Sequence, residues 1–209
     1  MSAPDAGVVY IVDDEESTRN IIVRHVTAAG YHASPFASAR EFLAAARDDR
    51  PACLVLDMHL QDGTGFDVFD AMERRGDALP TIFLTGAGTI PMTVRAMKAG
   101  AVEFLTKPPD WEALRNALTS AMNRARQIRE RRAEAAKIQE RLDALTPRER
   151  EVVPYVARGL PNKQIAAELK VVEQTVKVHR ARMMQKLGVD SVAELVHLVD
   201  KARELGIEV

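Results

Sequence analysis

Cysteine is all but missing from this chain. The one thiol, Cys53, sits inside an apolar run, so no disulfide framework exists and a reducing, cytosolic setting is the simplest expectation, with the thiol buried and inert. Long apolar stretches are also absent. None approaches the ~18 residues of a membrane span, and the opening Met1-Ser2-Ala3-Pro4-Asp5 lacks the basic and apolar segments of a secretory signal, so an intracellular protein with no membrane partner is expected. No internal repeat or low-complexity segment is present, and Gly86-Ala87-Gly88 falls short of a nucleotide-binding glycine fingerprint. Net charge is only -1, which by itself points to no polyanionic partner, but the average hides a division. Residues 1–110 carry 10 Lys/Arg against 16 Asp/Glu, net -6, whereas residues 111–209 carry 19 against 14, net +5. An acidic front half and a basic back half imply different partners.

What is present is enough hydrophobic residue, 46% of 209, for a real core and one or two domains. The run Ala52-Cys53-Leu54-Val55-Leu56 is apolar at nearly every position, as in a strand covered on both faces, and it ends in Asp57. Ligands of parallel sheets sit beyond the strands' carboxyl ends, so Asp57 stands either where chemistry happens or simply at the start of a turn. Strands at 8–12, 31–35, 52–56, 81–84 and 102–105 alternate with helices at 17–29, 38–47, 65–74 and 90–99, the signature of a parallel α/β sheet with crossover helices.

A fifth helix follows Pro108-Pro109-Asp110 and contains no glycine or proline up to Leu142. Trp111, Leu114, Leu118, Ala121, Ala125 and Ile128 keep a three-four spacing, whereas Arg132 and Gln139 fall on the continuation of that stripe. The helix is therefore either a dimeric coiled-coil linker or a solitary charged connector. Thr146, Pro147 and Glu149 then open a second, all-helical domain with a capping box, followed by helices at 161–169, 173–187 and 191–204, a helix-turn-helix size and layout.

Strand ends carry the chemistry. The first ends in Asp13-Asp14, the fourth in Thr85, and the fifth is followed by Thr106-Lys107-Pro108. Converging carboxylates repel one another unless a divalent cation sits among them, and oxygen-only ligands favour Mg2+ or Mn2+. Taken alone, Asp13 and Asp14 read as helix caps; together with a hydroxyl and an ammonium on the same rim they suit a dianionic phosphoryl group, with Asp57 as nucleophile.

The set Asp13-Asp14, Asp57, Thr85 and Lys107-Pro108 resembles the receiver domain of bacterial two-component response regulators, over about residues 6–122. The resemblance implies a doubly wound, flavodoxin-like five-stranded sheet in order 2-1-3-4-5. It implies Mg2+ held by Asp14, Asp57 and the main-chain carbonyl of His59, with Asp13 direct or through water, and phosphotransfer from a sensor histidine kinase to Asp57 in a bacterial cytoplasm. The protein would be no turnover enzyme, only a phosphoacceptor with slow self-catalysed phosphotransfer and dephosphorylation. Phe104 takes the aromatic switch position, and Gly86-Ala87-Gly88 a flexible switch loop. Residues 88–101 look like the fourth helix of regulators of the FixJ, StyR and TodT kind, implying homodimerisation on phosphorylation through Val94, Met97, Lys98 and Ala101. Gln61 stands where many relatives have proline, and His59 and Ala87 occupy positions that tune acyl-phosphate hydrolysis.

In the basic half, Leu145-Thr146-Pro147-Arg148-Glu149-Arg150-Glu151-Val152, Gly159-Leu160-Pro161-Asn162-Lys163-Gln164-Ile165-Ala166 and Thr175-Val176-Lys177-Val178-His179-Arg180 resemble the LuxR/NarL-type helix-turn-helix, over about 143–205. The whole chain is thereby similar to the NarL/FixJ family, with domains expected at 6–122 and 143–209 and a helical linker at 123–142. The resemblance implies double-stranded DNA as partner, bound as a dimer, and RNA polymerase as a further one, with Asn162, Lys163 and Thr175 near phosphates. From the helix itself, Val176, His179, Met183 and Leu187 form the inward stripe. Lys177 and Val178 face outward to reach base edges, and Arg180, Arg182 and Lys186 flank them to neutralise phosphates. Two residues depart from the pattern: Pro154, expected to kink the first helix of this domain, and Val172, which forfeits a side-chain cap. Readings from other classes are a phosphohydrolase or flavin domain on the doubly wound sheet, and a carboxyl-terminal module that docks protein instead of DNA.

Overall fold

The computed structural model describes residues 7–209. The amino-terminal segment read above, including residue 6 of the expected first domain, lies outside the described residues. The chain divides into two compact units, 1–129 and 130–209.

In the first unit, β1 (Val8–Val12), β2 (His32–Phe36), β3 (Ala52–Asp57), β6 (Thr81–Thr85) and β7 (Glu103–Thr106) form one sheet in order β2-β1-β3-β6-β7, every pairing parallel. Counting these five strands alone, that is 2-1-3-4-5. A two-stranded hairpin, β4 (His59–Leu60) with β5 (Gly63–Thr64), follows β3 and was not expected from the sequence, because two residues per strand carry no periodicity to read.

Alternation along the strands splits the core into two layers. Tyr10, Val12, Leu54, Leu56 and Phe83 face α2 (Ala39–Ala44), α3 (Gly65–Arg75) and α4 (Ile90–Lys98), burying Phe42, Phe69, Met72 and Ala96. Val9, Ile11, Cys53, Val55, Ile82 and Leu84 face α1 (Glu16–Ala28) and the first turns of α5 (Trp111–Asp143). Because both faces are covered, β3 has no polar alternation to show; its only polar side chain is the terminal Asp57. Each fully buried aliphatic side chain here contributes about 1.5–3 kcal/mol.

This layering corrects two expectations. Leu114, Leu118, Ala121 and Ala125 are at most 5% exposed, packed against their own sheet, so the stripe read as a coiled-coil seam serves the intradomain core. A period of three and four cannot tell a neighbouring sheet from a partner helix. The second helix is shorter than 38–47; Ser38 caps it, and it ends at Ala44.

The second unit packs α6 (Pro147–Ala157), α7 (Asn162–Leu169), α8 (Glu173–Leu187) and α9 (Val192–Glu204) around Val152, Val156, Ile165, Val176, Met183, Leu187 and Leu195, joined by Ile138 and Leu142 from the end of α5. The capping box of Thr146 and Glu149 is present as expected. Pro154 lies inside α6, yet the helix runs unbroken to Ala157, anchored on either side of it by buried Val153 and Val156; proline has no amide to donate to the Arg150 carbonyl. Val172 does start α8 without a side-chain cap. The turn before it is closed by Lys170 in the left-handed region, φ 55°, a conformation normally left to glycine. Among the described residues no helix is long and apolar enough to cross a membrane.

Candidate functional site: a carboxylate pocket and a basic helix face

Parallel register brings the strand ends together. Val12 pairs with Leu56 and Asp57 with Leu84, so Asp13 and Asp57 leave adjacent strands side by side. Carboxylate oxygens of Asp13, Asp14 and Asp57 lie within 4.8 Å of one another. Asp13 is 1% and Asp57 5% exposed. Among the described residues, one ammonium pairs with them. Lys107 Nζ stands 2.6 Å from Asp13 Oδ2 and 2.7 Å from Asp57 Oδ2, and only the second contact has hydrogen-bond geometry. Asp13 Oδ2 is thus buried beside a charge but without an aligned donor, an oxygen suited to a cation.

The surroundings hold these groups in place. Asp13 Oδ1 accepts the Glu15 amide at 2.9 Å, and Arg19 Nη1 donates to the Asp13 carbonyl at 2.6 Å. Asp57 Oδ1 accepts the amide of His59 at 3.2 Å. The N-cap of α1 is Glu15, with no side-chain cap bond, so neither Asp13 nor Asp14 caps that helix. At Gly65 a Cβ would fall 2.7 Å from the Asp57 carbonyl oxygen; only glycine lets α3 begin this close to the strand end. Lys107 donates its amide to the Thr85 carbonyl at 2.7 Å and precedes a cis peptide bond to Pro108. Thr85 is fully buried, its Oγ1 accepting the Ala87 amide at 3.3 Å. Phe104 pairs with Phe83 across the sheet, and their ring centroids are 6.4 Å apart.

Burial pushes the Asp13 carboxyl above its ordinary range, and Lys107, pulling the other way, does not cancel that. For Lys107 burial works to lower the pKa, but the adjoining carboxylates of Asp13 and Asp57 outweigh it and hold the ammonium above its usual value. With three carboxylates and one ammonium, the pocket has an excess of negative charge that a divalent cation would neutralise.

On the fourth helix the structure separates the expected face. Val94 and Met97 are exposed, 45% and 46%, and Lys98 is exposed with them, but Ala101 is buried at 6% and cannot belong to a surface. Ala101 follows the helix end and packs into the core under α4. The exposed stripe instead begins at Ile90, 83% exposed, which the sequence reading missed although its spacing to Val94 and Met97 is helical.

In the second unit, Lys163, Lys177, Val178 and Arg182 are exposed and Thr175 is half-buried. Arg180 Nη1 donates to Asn162 Oδ1 at 3.1 Å, so these two side chains form one polar bridge between α7 and α8. Val176, Met183 and Leu187 are buried as expected, with His179 half-buried beside them. Lys186 is a correction. Its ammonium donates to Glu149 Oε2 at 2.6 Å, and Glu149 is 2% exposed, so in this structure Lys186 is paired with a buried carboxylate instead of standing free on the helix face. The hydrogen bond from Lys186 holds Glu149 below its ordinary pKa.

Residues 9–119 match the family described as response regulator receiver domain, and residues 143–199 that described as bacterial regulatory proteins, luxR family. The chain is a response regulator. It is 40% identical to Nodulation protein W of Bradyrhizobium diazoefficiens, over 94% of this chain and 86% of that protein. It is 37% identical to the response regulator protein TodT of Pseudomonas putida, over 95% of this chain and 88% of that one. A solved structure of the response regulator StyR superposes with a TM-score of 0.85 at 42% identity, covering 94% of this chain and 99% of that one. The pocket therefore lies in the receiver domain of this regulator, and the basic helix face in its LuxR-type DNA-binding domain.

One further contact of the receiver escaped the sequence. Asp62, in the hairpin after Asp57, accepts the amides of Ala39 and Arg40 at 3.1 and 2.9 Å, tying that hairpin to the start of α2. A lone aspartate in a loop gives no signal of such a distant partner.

Proposed function

We propose that Asp57 is the phosphoacceptor through which a sensor histidine kinase controls DNA binding by this response regulator, in a bacterial cytoplasm. The observation that carries the proposal is Lys107 Nζ at 2.6 and 2.7 Å from two buried carboxylates that outnumber it. An Asp57 carboxylate oxygen attacks phosphorus of a phosphohistidine; the P–N bond breaks, its electron pair returns to the imidazole, and an acyl phosphate forms. Lys107 then releases Asp57 Oδ2 and stabilises the incoming oxygens, and the Thr85 hydroxyl donates to one of them. Asp13, Asp14, Asp57 and the main-chain carbonyl of His59 would hold Mg2+ or Mn2+, which supplies the remaining neutralising charge.

Thr85 moving toward the phosphoryl group frees Phe104 to turn inward, which reorders α4. The Ile90, Val94, Met97 and Lys98 stripe then pairs receivers as a homodimer, and two basic domains meet two half-sites. Lys177 and Val178 read base edges while Lys163, Thr175 and Arg182 approach phosphates, with the Asn162–Arg180 bridge beside them. RNA polymerase is the downstream partner in this reading. Incubation with acetyl phosphate and Mg2+ is expected to add one phosphate, read by intact mass, to the wild type and none to Asp57→Ala. Equal labelling of both proteins would refute the assignment.

A further inference from the structure

Two glycines lie in the loop between β6 and α4, and their surroundings differ. At Gly86 a side chain would meet nothing within 4 Å, whereas at Gly88 a Cβ would lie 3.0 Å from Thr85 Cγ2 and 3.1 Å from Phe104 Cε1. Gly88 is not in the left-handed region of backbone space, so conformational freedom does not account for it. Space does. The two groups that crowd it are the two side chains of the proposed switch.

The half-buried Phe104 ring has aromatic neighbours in the core. Phe83 faces it at 6.4 Å and is itself flanked by Phe66 at 5.4 Å and Phe69 at 5.8 Å. The Arg95 guanidinium lies 3.9 Å over the Phe66 ring and 3.8 Å from Asp70 Oδ2, which fastens α4 to α3. A Cβ 3.0–3.1 Å from both groups is tighter than ordinary contact, so a group added at position 88 displaces Phe104 or Thr85 from its present placement.

We propose that Gly88 is the steric gate of the switch: the missing side chain is what permits Phe104 and Thr85 their present placement, and any side chain there drives them toward the phosphorylated one. Excluding one of two placements favours the other by population shift, with no phosphate needed. The proposal rests on the switch reading of Thr85 and Phe104, and its test separates the two.

The full-length chain is labelled with 4-fluorophenylalanine at its six phenylalanines, and the Phe104 resonance is identified by its loss in Phe104→Leu. In unphosphorylated Gly88→Ala, the Phe104 fluorine resonance is expected to move toward the position the wild type takes after acetyl phosphate and Mg2+. Operator affinity without phosphate should rise by about tenfold. In Gly88→Ala/Phe104→Leu the effect of the added methyl on melting temperature and affinity should shrink, since the ring it pressed on is gone and only the contact with Thr85 Cγ2 remains. An unmoved resonance, a shift in the other direction, or an effect of Gly88→Ala that is the same with leucine as with phenylalanine at position 104 would overturn the gate. Should Gly88→Ala fail to fold, recovery in the double variant supports the contact and no recovery overturns it. If phosphorylation of the wild type leaves the resonance where it is, the switch reading falls and the gate falls with it; if phosphorylation moves it and Gly88→Ala does not, the gate alone falls.

Discussion

Each unit of this response regulator sets one lysine against buried carboxylate, and the two arrangements differ in their balance of charge. In the DNA-binding domain Lys186 meets a single acid, Glu149, whose Oε2 also accepts the Thr146 amide, so the group is matched one to one. In the receiver Lys107 stands against Asp13 and Asp57 with Asp14 close by, and one buried oxygen lacks an aligned donor. The matched pair locks a helix start. The unmatched cluster holds more carboxylates than ammonium groups, an imbalance that a further cation would offset.

Removing each lysine is the strongest way to break that comparison. Lys107→Ala leaves Asp13 and Asp57 facing each other with no ammonium, and urea denaturation at neutral pH without divalent cation is expected to show a loss of about 2–4 kcal/mol. Added Mg2+ should restore more stability to this variant than it adds to the wild type. Glu149→Gln should cost less, about 1–3 kcal/mol at pH 7, through the capping box and the Lys186 bond. No Mg2+ effect is expected there. Because the folded pKa of Glu149 is lowered, its stabilisation is fully present above its ordinary value of 4.5 and is lost as pH falls through the lowered value, so the gap between wild type and Glu149→Gln should close in acid.

The smallest and most selective effect compares two lysines of α8. Lys177→Ala should leave stability within about 0.5 kcal/mol of the wild type while weakening operator binding by about 1–3 kcal/mol and relaxing the sequence preference at the contacted base, as the loss of a base-edge contact does. Lys186→Met should do the reverse, lowering stability and leaving the salt slope unchanged. A lowered slope in Lys186→Met, read by fluorescence anisotropy across a salt series, would return that residue to the DNA face.

The same contrast explains what the sequence made legible. The pocket could be read because strand ends in a parallel sheet are positions set by topology, and Asp13, Asp57, Thr85 and Lys107 each end or follow an apolar run. Lys186 could not be read, because helical spacing places it on an outward face while its long side chain reaches back 37 residues to Glu149. Ala101 was misplaced for a related reason: the glycine before it ends the helix, and the chain turns inward where helical periodicity no longer applies. The stripe from Leu114 to Ala125 has the right period for a partner helix but is buried against its own sheet, a distinction that no single-chain pattern contains. Strand and helix positions were recovered to within a residue or two for the long elements; the two-residue strands of the hairpin were missed.

The central claim is that a charge change at Asp57 is read out on DNA, and one titration tests it. Operator selected with phosphorylated protein is titrated with wild type and with Asp57→Ala, each before and after acetyl phosphate and Mg2+. The wild type should bind more tightly after treatment, and Asp57→Ala should bind identically in both conditions. Equal operator affinity for treated wild type and treated Asp57→Ala would contradict the account.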